Sequence, residues 1–243
     1  MENKIFDVII LIGRPASGKS EIIDYLQNLP ADERLRRYHV GEMDVIDDFP
    51  MVWTWFEEDA ILSKVLDRPR LHTDDQGYFK HQYLWNLLIE RIRLEYHKRL
   101  RDDPRYHDHT TTIVEFSRGS AHGGYVEAFS HLPEDLLNRT GILFINVSFE
   151  ESQRKNRRRF NPYRPDSILE HALPDEKLER LYREDDWEQF SADDPAYIHV
   201  HGTQVPYVVF ENDDDATTDT PDLLAQRLEE ALKCLWDLVN TNR

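Results

Sequence analysis

The stretch "DVIILIGRPASGKSEIIDYL" (residues 7–26) decides the fold of this chain. Residues 8–12 form a continuous apolar run, which predicts a buried strand. After the glycines, Ile22, Ile23 and Leu26 recur at helical spacing, which predicts a helix with one buried face. The sequence therefore predicts a strand that leads through a glycine-containing loop directly into a helix.

The loop between them, residues 13–20, fits the phosphate-binding pattern G-x-x-x-x-G-K-[ST]. In such a loop the backbone N–H groups surround a phosphate, the lysine reaches the terminal phosphates, and the hydroxyl ligates Mg²⁺. The start of a helix also favours anions. The alternative is a glycine-containing turn in which Lys19 is merely solvated. The pattern predicts nucleotide-binding residues Gly13, Arg14, Ala16, Ser17, Gly18, Lys19 and Ser20.

Composition limits the classes of function. The chain has 243 residues, 40% of them hydrophobic, which is enough for a packed core. Its net charge is −17. A general nucleic-acid binder needs Lys and Arg to neutralise phosphates, so this charge argues against one. Any anionic ligand must instead be met by a local group of cations.

Cysteine content and hydropathy predict the cellular setting. The single cysteine, Cys234, excludes an intramolecular disulfide and a multi-cysteine zinc site, and its place on an apolar stripe predicts a buried side chain. Residues 5–12 read as a strand and not as a signal peptide. No apolar run approaches the roughly 20 residues of a membrane-spanning helix. We therefore expect a soluble, cytoplasmic protein without membrane contact.

Strands and helices alternate along the rest of the chain. We predict further strands at residues 38–43, 111–116 and 141–149 and within "VPYVVFENDDD". We predict helices at about residues 52–66 and 78–100 and from 221 onward, and partly helical structure around residues 175–190. This alternation predicts a parallel sheet covered on both faces by helices. We expect one three-layer α/β domain over residues 1–243, with five parallel strands and helical insertions.

These features together resemble the P-loop kinases of the nucleoside and nucleoside monophosphate kinase group, within the P-loop NTPase superfamily. The likeness rests on the loop "GRPASGKS", the acidic residues after the second strand, "IVEFSRG" after the third and an arginine-rich helix after the fourth. The resemblance implies the strand order 2-3-1-4-5, ATP as phosphoryl donor and Mg²⁺ as cofactor. It also implies an acceptor-binding helical region at about residues 45–105 and an arginine-rich lid at about 150–195.

Glu115 stands at the end of the third strand, where ligands gather in open α/β sheets. Its carboxylate is suited to hold a Mg²⁺-bound water or to act as a base toward an acceptor hydroxyl, and Arg118 is suited to clamp a phosphate or the acceptor. Deoxynucleoside kinases carry a Glu-Arg pair here, whereas "EFSR" interposes two residues. The alternative is a structural Glu–Arg pair.

Acidic and aromatic residues follow the second strand. The segment "DDFPMVW" distantly resembles the acidic-Pro-Trp segment of deoxynucleoside kinases, which implies that Asp44, Asp47 and Trp53 bind the acceptor together with Arg118. A tryptophan can stack on a planar base, and a carboxylate can orient a hydroxyl. The alternatives are a tryptophan of the core and a turn before Pro50.

Five cations fall within six residues from 154 to 159, in an otherwise acidic chain. Arg154 and Arg158 are four residues apart and share a helix face, so we assign them to charge neutralisation during phosphoryl transfer. The alternatives are a solvated helix face and a brace against neighbouring carboxylates. By the resemblance, Asn212 in "ENDDD" lies where this group packs the adenine base.

The sequence thus predicts an ATP-dependent kinase that phosphorylates a nucleoside, a nucleotide or another metabolite. Lys19 would follow the transferring phosphoryl group, and Ser20 with Glu115 would hold Mg²⁺. Two alternatives stay open: a nucleotide-binding regulatory ATPase or switch, and a degenerate kinase that serves as an interaction module. The acceptor, the preference for ATP over GTP, and homodimer formation are undetermined by the sequence.

Overall fold

The computed structural model describes residues 5–159, 163 and 172–241. Residues 160–162 and 164–171, part of the predicted lid region, lie outside the described residues. The strands are β1 (Val8–Gly13), β2 (Glu42–Asp47), β3 (Thr110–Phe116), β4 (Thr140–Asn146), β5 (Tyr197–Val200) and β6 (Thr203–Glu211). They form one sheet in the order β2-β3-β1-β4-β6-β5.

The described helices connect these strands. They are α1 (Lys19–Asn28), α2 (Ala31–Tyr38), α3 (Phe49–Lys64), α4 (Tyr83–Asp102), α5 (Gly124–Ser130), α6 (Glu134–Leu137), α7 (Phe149–Arg159), α8 (Asp175–Tyr182), α9 (Trp187–Phe190), α10 (Ala216–Asp219) and α11 (Pro221–Thr241). Short 3₁₀ turns occur at Tyr106–Asp108 and Ser120–His122.

Two apolar clusters cover the two faces of the sheet. On one face, Ile10 and Val114 of the sheet pack with α4 and α5. On the other, Ile9 and Leu143 pack with α1 and α11. Because alternate residues of a strand point to opposite faces, strands buried on both sides read as continuous apolar runs. The predicted three-layer α/β class is confirmed.

The strand order places the candidate site. Strands β2, β3, β1, β4 and β6 are parallel and reproduce the predicted order 2-3-1-4-5. After β1 the chain runs to β2 on one side, and β4 lies on the other side of β1. Ligands bind at the carboxyl ends of strands around such a reversal point. The phosphate-binding loop lies at this point, at the end of β1.

A sixth strand was not predicted. β5 pairs antiparallel with β6 through the two-residue turn at His201 and Gly202, whose φ angles are 51° and 82°. Positive φ at both positions is typical of the tight hairpin turns that match strand twist. Alternating buried residues, Ile198 and Val200, carried the missed strand signal.

Three local predictions are wrong. The fourth strand ends at Asn146, and Phe149, predicted as its last residue, begins α7. The second strand begins at Glu42, because Tyr38 ends α2 and His39 turns the chain with a φ of 54°. Tyr38 and Val40 are buried, which gave that stretch the apolar character of a strand. Cys234 is exposed, since α11 buries Leu228, Leu232 and its own neighbour Leu235. No helix among the described residues is long and apolar enough to cross a bilayer.

Candidate active site at the carboxyl end of the sheet

Three residues of the phosphate-binding loop have positive φ angles: Gly13 (154°), Ala16 (56°) and Gly18 (111°). A Cβ on Gly13 would lie 2.5 Å from the carbonyl oxygen of Ile145, and one on Gly18 would lie 2.6 Å from Nδ2 of Asn212. Glycine is therefore required at both positions by backbone conformation and by space. The loop passes directly into α1, whose first amides are free to bind an anion.

Lys19 is buried inside this loop. Its Nζ donates to the carbonyl oxygen of Arg14 at 2.9 Å, to that of Gly13 at 3.3 Å and to Oγ of Ser117 at 2.9 Å. Burial lowers the pKa of Lys19, while the carboxylate of Glu115 raises it. The ammonium group thus lies between the loop and Ser117, the residue that follows β3.

The side chain of Arg14 supports the loop from behind. Its Nη1 donates to the carbonyl oxygen of Val147 at 3.0 Å, its Nε to that of Tyr182 at 3.3 Å, and its Nη2 pairs with Asp185 at 2.8 Å. The side chain of Arg14 is therefore committed to protein groups. Only its backbone remains for the predicted contact with a phosphate.

Asn212 also braces the loop and is fully buried. Its Nδ2 donates to the carbonyl oxygen of Ser17 at 2.7 Å and to Oγ1 of Thr217 at 2.8 Å. A cavity of about 1480 Å³ opens at this end of the sheet, and Asn212 does not line it. The structure thus places Asn212 beneath the loop, and not where it would contact a base.

Three carboxylates cluster at the ends of β2 and β3. Asp47 and Glu115 are register partners on these strands, and Asp48 follows Asp47. Burial, helped by Glu115 and Asp48, raises the pKa of Asp47 to about 7. Burial likewise raises the pKa of Glu115. Oγ of Ser20 lies 3.5 Å from Oε1 of Glu115, so hydroxyl and carboxylate face each other across the end of the loop.

This oxygen-rich cluster fits Mg²⁺. Hard divalent cations prefer carboxylate and hydroxyl oxygens, and Mg²⁺ is usually held by one or two carboxylates plus substrate phosphates. Two crowded carboxylates whose pKa values are raised gain from a nearby cation. Ser20 and Glu115, which face each other, are the residues suited to hold the ion.

Arg118 forms a buried ion pair with Asp48. Its Nη1 lies 2.7 Å from Oδ2 of Asp48, and Nη2 donates to the carbonyl oxygen of Trp85 at 3.2 Å. The guanidinium carbon lies 5.3 Å from the ring centre of Trp85 and 5.4 Å from that of Phe116. Arg118 lines the cavity, but its charge is already paired. It joins the end of β2 to α4.

The structure places only some of the predicted acceptor residues at the cavity. Asp47 and Trp53 line the cavity. Asp44 does not, because its carboxylate pairs with Nε of Arg99 at 2.6 Å and accepts from the hydroxyl of Tyr106 at 2.8 Å. Those two partners tie β2 to the end of α4 and the following turn.

The arginines predicted on α7 form a brace. Arg154 pairs with Glu151 at 2.7 Å and with Asp215 at 2.6 Å, and Nη1 of Arg158 lies 3.6 Å from the same Asp215. Both side chains are about half exposed, and neither lines the cavity. The brace, one of the alternatives stated above, is what the structure shows at these positions.

Arg159, which the sequence analysis did not select, faces the cavity instead. Its Nη2 lies 3.5 Å from Oγ of Ser20 and 3.6 Å from Oε2 of Glu21. Ser152 and Asn156 are buried on the same side of α7, at helical spacing from Arg159. Uncharged polar residues in a helix of charges were the sequence signal for the face that packs on the protein.

His122 is a second missed residue. It is buried, stacks on Trp85 with ring centres 3.7 Å apart, and accepts a hydrogen bond from the backbone N–H of Gly119 at 3.3 Å. Burial lowers the pKa of His122 to about 2, so the ring is neutral. It forms part of the cavity wall without carrying charge.

A single cavity of about 1480 Å³ joins these groups. Lys19, Ser20, Asp47 and Glu115 all line it. One part of its lining, called the α1 arm, comes from α1, α10 and the start of α11: Asp24, Tyr25, Asn28, Thr217, Thr218 and Pro221. Another part, called the aromatic arm, comes from α3, α4 and the segment between them: Phe49, Trp53, Phe56, Tyr78, Phe79 and Trp85.

Comparisons with known proteins identify no family. No family model and no curated protein sequence matches the chain. Among solved structures, a sugar kinase from Janibacter sp. HTCC2649 is 13% identical, covers 94% of this chain and 95% of its own, and gives a TM-score of 0.42. Kti12 from Chaetomium thermophilum, in complex with ADP-AlF3, is 14% identical (96% and 98% covered, TM-score 0.49). Shikimate kinase from Acinetobacter baumannii, in complex with shikimate, is 13% identical (95% of each chain, TM-score 0.43).

Proposed function

We propose that this protein binds ATP with Mg²⁺ and transfers its terminal phosphoryl group to a hydroxyl group of a small acceptor. The observation that carries the proposal is one cavity whose lining contains Lys19 and the carboxylates together with the residues of both the α1 arm and the aromatic arm. Sites for one small ligand usually enclose about 300–1,000 Å³, so this cavity has room for two. A two-substrate transfer needs such an arrangement.

The loop and α1 arm suit the nucleotide. Backbone amides of residues 13–20 and the ammonium of Lys19 would neutralise the phosphates, with Arg159 beside Ser20 as a further cation. Mg²⁺, held by Ser20 and Glu115, would neutralise charge on the phosphates. Phosphoryl transfer depends mainly on positioning and charge stabilisation, which these groups supply.

The aromatic arm suits the acceptor. In this proposal, Asp47 accepts the proton of the acceptor hydroxyl while the oxygen of that hydroxyl forms a bond to the terminal phosphorus of ATP. The bond from that phosphorus to the bridging oxygen breaks, and ADP leaves with the bond's electron pair. Burial of Asp47 supports a base whose pKa is near neutrality. Trp53, near the N-terminal end of α3, would pack against the acceptor.

A phosphoryl-transfer assay tests the proposal. The protein is incubated with Mg²⁺ and ATP labelled on the terminal phosphate, alone and with nucleosides, nucleoside monophosphates and sugars. We expect label in an acceptor and little free phosphate without one, and no transfer by Lys19→Met. Absence of ATP binding would contradict the proposal, as would hydrolysis that no acceptor changes.

One observation favours a second function, a nucleotide-dependent switch. Arg14 links the phosphate-binding loop to the carbonyl oxygen of Tyr182 at the end of α8 and to Asp185. A change in the loop on hydrolysis would therefore reach α8 directly. Two results together would support the switch over the kinase. ATP hydrolysis should occur without an acceptor and be accompanied by a change in α8, and Arg14→Gln should still hydrolyse ATP but lose that change in α8.

A further inference from the structure

Two cations of α8 meet one aromatic ring in the wall of the aromatic arm. The guanidinium carbon of Arg180 lies 4.0 Å from the ring centre of Tyr78, and Nζ of Lys177 lies 5.2 Å from it. Nζ of Lys177 also donates to the carbonyl oxygen of Gly77 at 3.3 Å. All four residues line the cavity. A Cβ on Gly77 would lie 3.4 Å from the ring of Phe56, which places this group in the aromatic arm.

Lys177 and Arg180 differ from the arginines of α7 in having no carboxylate as an ion-pair partner among the described residues. Within residues 5–159, 163 and 172–241, neither Lys177 nor Arg180 forms an ion pair with a carboxylate, whereas Arg154 and Arg157 on α7 both do. The face of an aromatic ring attracts a cation but cannot accept hydrogen bonds from all of its N–H groups. The N–H groups of Arg180 therefore keep their capacity to bind a ligand.

The two charges also disfavour each other. Lys177 and Arg180 are three residues apart on one helix face, where like charges repel. Burial lowers the pKa of Lys177, the carboxylates of Asp74 and Glu176 oppose this shift, and Arg70 adds to it. An anion placed between them would relieve this repulsion, and a guanidinium group can bind phosphate or carboxylate through two parallel hydrogen bonds.

We propose that Lys177 and Arg180 bind an anionic group, a phosphate or a carboxylate, that the acceptor carries in addition to its reacting hydroxyl. Tyr78 would hold both cations in place by contact with its ring. This inference rests on the proposed function, because it assigns the aromatic arm to the acceptor. It narrows the acceptor to small anionic molecules, such as phosphorylated or carboxylated hydroxy compounds.

Donor phosphates are the competing source of an anion. They belong at the loop, where Arg159 lies beside Ser20. Lys177 and Arg180 instead contact Gly77 and Tyr78, which come before α4 and pack near Phe56. The experiment must therefore separate binding at the loop from binding in the aromatic arm.

The test measures binding and does not depend on turnover. The full chain is saturated with Mg²⁺ and a non-hydrolysable ATP analogue, and inorganic phosphate is then titrated while the total tryptophan fluorescence is followed, to which Trp53 and Trp85 of the cavity wall contribute. We expect saturable binding that weakens at least about tenfold in Lys177→Gln and in Arg180→Gln, as expected for loss of one charge-assisted contact. Arg183→Gln, an exposed arginine next to α8 that does not line the cavity, is the matched control and should bind like the unmodified chain.

Matched acceptor pairs give the second readout. Glycerol 3-phosphate should bind more tightly than glycerol, and a nucleoside monophosphate more tightly than its nucleoside, and both preferences should disappear in Arg180→Gln. Phosphate binding that neither substitution changes would overturn the subsite while leaving the proposed function intact. An equal loss of ATP-analogue affinity in both variants would assign the cations to the donor and overturn the subsite. If the analogue does not bind the unmodified chain, both proposals fail.

Discussion

Oγ of Ser20 lies 3.5 Å from Oε1 of Glu115, although 95 residues separate them in the chain. Ser20 comes from the first turn of α1, and Glu115 from the end of β3. The parallel pairing of β1 with β3 brings the two ends to one edge of the sheet. A hydroxyl and a carboxylate at this position, next to Lys19, define the proposed centre of phosphoryl transfer.

Lys19→Met should nearly abolish turnover without unfolding the protein. Methionine keeps most of the apolar stem and removes a buried ammonium whose pKa burial has lowered. We expect kcat for Mg²⁺-dependent ATP turnover to fall by about 100-fold or more, by analogy with loss of one electrostatic donor in an active site. Circular dichroism and the melting temperature check the fold. A folded variant with unchanged kcat would remove Lys19 from the mechanism.

Glu115→Gln should weaken the dependence of the rate on Mg²⁺. The amide keeps the shape of the side chain but is a poorer ligand for the ion. We expect the Mg²⁺ concentration for half-maximal rate to rise by about tenfold, equivalent to about 1.4 kcal/mol. Glu211→Gln is the matched control, since Glu211 also ends a parallel strand but lies outside the cavity. Identical Mg²⁺ titrations for both variants would make Glu115 structural.

Arg159→Gln should separate the arginine of the cavity from those of the brace. Arg159 lies beside Ser20, whereas Arg154 pairs with Asp215. We expect kcat to fall by about 100-fold in Arg159→Gln and by no more than about twofold in Arg154→Gln. The dissociation constant of an ATP analogue should change less than kcat if Arg159 acts mainly in the transition state. The reverse ranking of the two variants would restore the assignment made from sequence.

Arg118→Met should destabilise the fold strongly. It leaves the buried carboxylate of Asp48 without its partner, and such a loss typically costs about 3–5 kcal/mol of unfolding free energy. The double variant Asp48→Asn with Arg118→Met removes both charges and should be more stable than the single variant. Urea unfolding of the three proteins measures this. A double variant no more stable than Arg118→Met would show that the pair is not the source of the loss.

His122 should make the fold sensitive to acid. Because its pKa in the folded state is about 2, below the ordinary value of 6.5, the unfolded chain takes up the proton first. The unfolding free energy should therefore fall as the pH drops below 6.5. Between pH 7.5 and pH 5 we expect His122 to lower it by about 2 kcal/mol, and His122→Gln should remove this part of the pH dependence. Urea unfolding curves of the unmodified chain and of His122→Gln at several pH values test this. A difference in unfolding free energy between the two proteins that stays constant with pH would contradict it.

The phosphate-binding loop was predictable from sequence because its requirements are local. Gly13 and Gly18 adopt backbone conformations that favour glycine, and Lys19 and Ser20 follow at fixed spacing. The strand order was predictable only through the family resemblance. The hairpin of β5 was missed because its strand of four residues is too short to give a strong alternation.

The sequence by itself thus determined the α/β class, the loop and the position of Glu115 at a strand end, since each depends on neighbouring residues or on a short periodic pattern. Only the tertiary structure decided which face of α7 packs on the protein, and therefore that Arg159 enters the cavity while Arg154 pairs with Asp215. Tertiary structure likewise joined Asp48 to Arg118 across 70 residues and Asp44 to Arg99 across 55. The physical reason is that a charged side chain can pair with any opposite charge within a few ångströms, and folding alone decides which charges come that close.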